Sequence, residues 1–298
     1  MNIIEEIEKN IVGHFKCFPK VLGFEVVEKA GFTIVNSGLH SSMFNIVCNT
    51  HLEEWAKHQQ NANLVENAFR EEEAKLPWNQ VFPDAYAEAL LARSHYGEDF
   101  VAQKIKEVIT HFNGQPFAWW VGPSCDPKWL GDILCENGFE KPSTEYAMVY
   151  DLAKFDKLSV SSNNMVIKRV ATLNQLEHFI QVIEPYDVAA RTFYSRLQDE
   201  RMLKGSEESF VGYEDDTPVV ISSLYVEDNV AGIFNLITQE NKRGRGYGTQ
   251  MMKYLMYDAY KSGAKHISLL ASSDSAYRIY ERLGFQVLAL FGCFEWQA

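Results

Sequence analysis

Long apolar runs are missing from this chain of 298 residues. Nowhere do about 18 consecutive apolar residues occur, so no segment is expected to span a membrane. Basic residues are in deficit: 28 Lys and Arg stand against 40 Asp and Glu, a formal net charge of −12. That balance disfavours nucleic acid, whose phosphates attract basic surfaces, and suits a cationic partner. Cysteine is scarce and odd in number. Cys17, Cys48, Cys125, Cys135 and Cys293 lie far apart, with no CxxC pair or Cys/His cluster at zinc spacing, so no metal site is expected. They read as reduced thiols, mostly in the core, which fits a cytoplasmic setting. The first six residues, Met1 to Glu6, are acidic where a secretory signal carries positive charge. None of the histidines, His266 included, shows a pairing in the sequence that suggests a metal or a triad.

What is present is the material of an ordinary globular protein. Hydrophobic residues make up 46%, charged residues 23% and aromatics 13%, enough for a sizeable core and, at this length, two domains. Residues 3–15 have helical apolar spacing. Residues 23–36 read as a β-hairpin around Lys29-Ala30, and residues 43–48 as a short strand. From His51 to about Phe112 the pattern is helical and polar, with an acidic run at Glu71-Glu72-Glu73 and a helix cap at Asp84. Residues 116–122 read as a buried strand. Asp126-Pro127 is expected to open a helix that stops at Asn137-Gly138, and residues 146–152 form another strand. The Ser- and Asn-rich stretch 154–164 is the linker. In the second half the pattern predicts a strand at 165–170, helices at 174–183 and 187–203, and strands at 209–213, 218–226 and 230–238. A helix then ends at Gly263, and a strand at 266–271 is followed by a helix capped at Ser273. Two last strands are expected near 285–290 and 293–296. The class is mixed α/β.

The most informative stretch is Arg243-Gly244-Arg245-Gly246-Tyr247-Gly248-Thr249, between an apolar strand and an amphipathic helix. Closely spaced glycines let the backbone turn its N–H groups outward. They stand where a helix begins, with its free N–H groups and positive dipole end. A phosphate or pyrophosphate suits such a loop. The spacing is that of neither the P-loop nor the dinucleotide fingerprint.

Two segments, 117–139 and 267–285, each read strand, cap, short helix, Gly-Phe. Their separation predicts a duplicated domain. The copies differ in chemistry: no glycine loop follows residues 43–48, and Leu134 stands where the second copy has Tyr280. One site, in the second copy, is the expectation.

The ordered set of strand, Arg243-x-x-Gly246-x-Gly248, helix, strand, and Ser273-x-x-Ala276-x-x-Ile279-Tyr280-x-x-x-Gly284-Phe285 resembles the GCN5-related N-acetyltransferase (GNAT) family. Ser273 stands where the family usually has Asn. The first half is similar to the degenerate N-terminal domain of bacterial tandem-GNAT proteins, through Phe117-Ala118-Trp119-Trp120-Val121-Gly122-Pro123. The resemblance implies two tandem GNAT-like domains, each a mixed central sheet flanked by helices. Residues 1–153 would be the degenerate copy, 154–164 the linker and 165–298 the catalytic domain. It implies N-acetyl transfer from acetyl-CoA to a primary amine within a ternary complex. Leu236, Ile237 and Thr238 would orient the thioester, and Arg243, Gly244, Arg245, Gly246, Tyr247, Gly248 and Thr249 would hold the pyrophosphate. Ser273 and Ala276 would lie along the pantetheine, and Tyr280 would protonate the departing thiolate. Asn235 and Glu240 lie near enough in sequence to serve the amine, with Glu240 the candidate base and a water chain the alternative. The acceptor is open: a small amine, a drug, a peptide N-terminus or a protein lysine, as is a monomer or homodimer and action as an exported effector. The competing function is a non-catalytic acyl-CoA-binding regulatory or scaffolding protein, its first half binding a partner.

Overall fold

The computed structural model describes residues 2–29, 31–52, 95–156, 165–199, 201–203 and 207–297. The first half supplies α1 (Ile3–Val21), β1 (Glu25–Lys29), β2 (Phe32–Asn36), β3 (Asn45–Cys48), α2 (His95–Phe112), β4 (Phe117–Val121), α3 (Leu130–Glu136) and β5 (Ser143–Asp151). The second half supplies β6 (Val166–Arg169), α4 (Leu173–Ile183), α5 (Ala189–Tyr194), β7 (Glu207–Glu214), β8 (Thr217–Glu227), β9 (Val230–Thr238), α6 (Tyr247–Ser262), β10 (His266–Ala271), α7 (Asp274–Arg282) and β11 (Gln286–Trp296).

Local chemistry sets several of these limits. Asn2 and Glu5 form a reciprocal capping box at the start of α1. Asp215 and Asp216 both take positive φ, 47° and 61°, and so turn β7 tightly into β8. Gly263, at φ 87°, ends α6 in the left-handed conformation. Of the helical stretch expected from His51 onward, the described residues are His51 and Leu52, which pair with Asp126 in sheet-like fashion and are not helical, and α2. Asp84 and Glu71-Glu72-Glu73 lie outside them, as do residues 157–164 of the linker.

Three local expectations are corrected. Asp126 does not open a helix: its N–H donates to the Thr50 carbonyl and its own carbonyl accepts from Leu52, so it is held in sheet-like pairing, and α3 starts at Leu130. The helix expected over 187–203 is only six residues long, Ala189–Tyr194, and turns follow it. The two last strands are one. Gly292, between the two expected segments, lies in the ladder opposite Val121 and Thr144, and a Cβ there would stand 2.7 Å from the Phe294 ring. Glycine is needed there for that close approach, not for a turn.

The two halves are joined in one eleven-stranded sheet, in the order β1-β2-β3-β4-β11-β5-β10-β9-β8-β7-β6. Each half contributes one parallel pair, β3–β4 and β9–β10, in an otherwise antiparallel arrangement. Each also hands its last strand across. β5, from the first half, runs between β10 and β11, and β11, from the second half, runs between β5 and β4. The sequence repeat thus appears as an exchange of equivalent strands.

Neighbouring residues of a strand point to opposite faces, and this sorts the helices. Met148, Ala231, Ile233 and Leu269 pack with α6 and α7, and Trp119 and Phe294 with α2 and α3, on one face. Ala147, Val230 and Phe291 meet Ile7 and Ile11 of α1 on the other, where Val211 and Ile221 also meet α4 and α5. The five cysteines are free thiols, four of them buried and Cys135 exposed; burial pushes Cys48 and Cys293 up to about 12. Among the described residues no helix is long and apolar enough to cross a membrane.

Candidate functional site

The centre of the site is a gap in the sheet. β9 and β10 pair in parallel from Val230↔His266 to Ile233↔Leu269, and there the ladder stops while β10 runs on beside β5 to Ala271↔Tyr146. On its other side β9 carries an extra residue. Phe234 faces Ser223 and Ile237 faces Ile221, so a bulge falls at Asn235-Leu236, with Asn235 at φ 53°. A bulge re-aims the backbone of the strand that carries it. The Phe234 carbonyl there accepts from the Ser222 hydroxyl at 2.9 Å. Leu236 turns to the α6 core and Ile237 to the α4 core. The Thr238 carbonyl accepts from Arg243 Nε at 3.3 Å and from the Tyr186 hydroxyl at 3.4 Å.

The glycine loop lies at one end of that gap. Gly244 and Gly246 both take positive φ, 76° and 84°, and Gly246 stands at the N-cap of α6 with no side chain capping the helix. Among the described residues no loop, turn or cap hydrogen bond uses an N–H from Gly244 to Thr249. The first used is that of Gln250, which donates to the Gly246 carbonyl at 3.0 Å. The start of α6 therefore keeps its donors and dipole free for an anion. A Cβ at Gly248 would stand in ordinary contact, 3.5 Å from Thr238 Oγ1. Glu214, at the end of β7, holds the loop from behind: it accepts from Lys242 Nζ and from the Tyr247 hydroxyl and lies 3.9 Å from Arg245. The bonds from Lys242 and Tyr247 hold its carboxyl below the usual range. Arg243 lies exposed on the surface, its Nη2 donating to the hydroxyl of the exposed Tyr186.

Ser273 caps α7, accepting from the Ala276 N–H at 3.3 Å, and Ala276 is half-buried against the α6–α7 core. One turn later Tyr280 is buried, 7% exposed, with its ring against Phe285. Burial first, and the Glu145 carboxylate second, push its hydroxyl up to about 12. Tyr280 is therefore a neutral phenol at ordinary pH and has a proton to give. Glu240 lies exposed on a single helical turn, Glu240–Lys242, before the loop. The carboxylate whose charge acts on Tyr280 is Glu145, on the exchanged strand β5; burial raises its own carboxyl to about 7. In the first half, Leu134 at the position of Tyr280 is wholly buried in an apolar cluster.

The structure pairs one histidine with a carboxylate across the fold. His14 on α1 lies 2.7 Å through Nδ1 from Glu207 Oε2 on β7, and its ring stacks on Phe234 at 3.5 Å and 6°. Glu207 and Glu145 could not be singled out from the sequence. Their partners are 193 and 135 positions away, and neither forms part of a motif.

Residues 173–285 match the family model described as the acetyltransferase (GNAT) family. An uncharacterized N-acetyltransferase of Bacillus subtilis (strain 168), YobR, is 23% identical over 170 residues, which span 56% of this chain and 68% of that protein. Among solved structures, a GCN5-related N-acetyltransferase from Kribbella flavida superposes with a TM-score of 0.62 at 14% identity, covering 99% of this chain and 96% of that one. A tandem GNAT protein from the clavulanic acid biosynthesis pathway superposes with a TM-score of 0.50 at 13% identity, over 68% and 70% of the two chains. Strand gap, bulge, uncapped helix start and buried tyrosine all fall within the segment 173–285 that matches the acetyltransferase (GNAT) family model, and the fold around that segment is the one seen in GCN5-related N-acetyltransferases.

Proposed function

We propose that the chain transfers an acetyl group from acetyl-CoA directly to a primary amine, at one site built on residues 165–298. Three features support this reading. These are the free N–H groups at the start of α6, the β9 backbone released from β10 past Ile233, and the protonated hydroxyl of Tyr280.

The residues fit the co-substrate in that order. Outward N–H groups from Gly244 to Thr249 would hold its pyrophosphate. The unpaired edge of β9 offers backbone groups at Leu236 to Thr238 to the pantetheine amides, and an N–H at the bulge faces the growing oxyanion. Holding thioester and amine in one gap supplies much of the acceleration. Tyr280 donates its proton to the departing thiolate. The first copy has Leu134 in place of the phenol, so it supports the second copy without a centre of its own.

The test is Tyr280→Phe, which keeps the ring and removes the proton. Turnover should fall about 100-fold, in the range general acids contribute, while CoA binding by calorimetry stays unchanged. A mutant of full activity would remove Tyr280 from the chemistry.

A further inference from the structure

We propose that His14 is the base that takes the proton from the acceptor ammonium, with Glu207 holding its ring, so that the first half supplies a catalytic residue to the site in the second. This rests on the acetyltransferase reading above. The gap has two faces. Tyr280 approaches from the α6–α7 face. Phe234 is the first residue of β9 beyond the last β9–β10 pair, and its side chain joins the α1 cluster on the opposite face. His14 lies flat on that ring. The imidazole thus covers the mouth of the gap from the side opposite the acid, where an amine would approach the thioester carbonyl.

The surroundings of His14 are built, not incidental. Glu207 is 1% exposed, and one of its oxygens, Oε1, is buried with no partner among the described residues, an arrangement that calls for a reason. Its other oxygen takes the Nδ1 proton of His14, which fixes the tautomer and leaves Nε2 as the acceptor. Nε2 has no hydrogen-bond partner among the described residues, and the side chain keeps 16% of its surface open. The same buried layer continues to the bulge. Tyr194 is pushed up by burial and then by the charge of Glu207, and its hydroxyl accepts from Asn235 Nδ2 at 3.4 Å. The other titratable groups facing this layer are Tyr225, which feels Glu227, Cys17 and Glu207, while Lys9 and Lys16 of α1 are engaged by Asp228 and Glu28.

The protons balance. Nε2 takes one from R–NH3+, and the freed amine forms the C–N bond at the thioester carbon. Collapse breaks the C–S bond, and the thiolate takes a proton from Tyr280. The tyrosinate recovers one from the N–H of the adduct. His14 then releases its proton to solvent, so the sum is amide, CoA thiol and one H+.

The test follows CoA thiol release with a panel of primary amines. His14→Gln should lower kcat about 100-fold at pH 7, with unchanged CoA affinity and melting temperature. Its deficit should shrink about tenfold per pH unit as the free amine becomes abundant. Imidazole added to His14→Ala should restore part of the rate, which a structural role would not allow. Glu207→Gln should lower kcat about tenfold with KM unchanged. Full activity of His14→Gln, a deficit independent of pH, or loss of the acid limb in Glu145→Gln instead would overturn the proposal alone. No transfer by the unaltered protein to any amine would overturn the acetyltransferase reading with it.

Discussion

Glu145 has a cost that can be measured. In the unfolded chain its carboxyl ionises near the ordinary 4.5, and in the folded protein near 7. Between those values the folded state holds a proton that the unfolded chain has released. Stability therefore falls as pH rises through that window, and the full penalty stands above 7. Glu145→Gln should stabilise the protein by about 2–3 kcal/mol at pH 8 and by little below pH 4.5, as denaturant titrations at the two pH values would show. The same substitution removes the charge of Glu145 that acts on Tyr280, so the Tyr280 hydroxyl should come down from about 12 and the basic limb of the rate profile should move to lower pH. No gain at pH 8 would mean that the carboxylate is better solvated than its place on β5 implies.

At the scale of the element, the start of α6 depends on Gly246. Its φ of 84° is open to glycine and strained for other residues, although the only atom near a Cβ would be Gln250 Nε2 at 4.0 Å. Gly246→Ala should therefore cost about 1–2 kcal/mol through backbone strain alone, read as a melting point lower by several degrees. CoA binding should weaken with it, because the N–H groups lose their common aim. An unchanged melting point would show that the loop relaxes without loss. This element was legible in the sequence because it is local. Glycine spacing, a cap at Ser273 and a four-residue apolar period are all written within a few residues of where they act. The loop, α7 and the position of Tyr280 could be read for that reason. The partners of Tyr280 and His14 could not. Glu145 reaches Tyr280 through strand exchange, and Glu207 meets His14 across the sheet, contacts set by topology rather than by periodicity. The continuity of the last strand was hidden for a related reason, since Gly292 answers to the close approach of Phe294, a contact that no local pattern displays.

For the whole molecule, the shared sheet means that neither half is complete. Without the first half, β10 loses β5 along its entire ladder, from His266↔Asp151 to Ala271↔Tyr146, and Val230 and Phe291 lose Ile7 and Ile11. An exposed strand edge and an uncovered apolar face favour aggregation. Residues 165–298 expressed alone should be insoluble or molten, while the full chain should melt in a single calorimetric transition. Two separated transitions, or a folded and cooperative fragment, would contradict this. Coupling of this kind also lets a residue from one copy serve the chemistry of the other, which two independent domains could do only across an interface.

The crossing of β5 and β11 also bears on how the chain is made. During synthesis domains ordinarily fold as units, the N-terminal one first. Here β4 has β3 on one side and must wait for β11 on the other, so the first half emerges with an open edge and no strand of its own to close it. β5 is finished early and stays unpaired until β10 and β11 appear, more than a hundred residues later. Folding can therefore close only after residues 286–296 are translated, and a ribosome stalled before them would hold two open sheets rather than one finished domain.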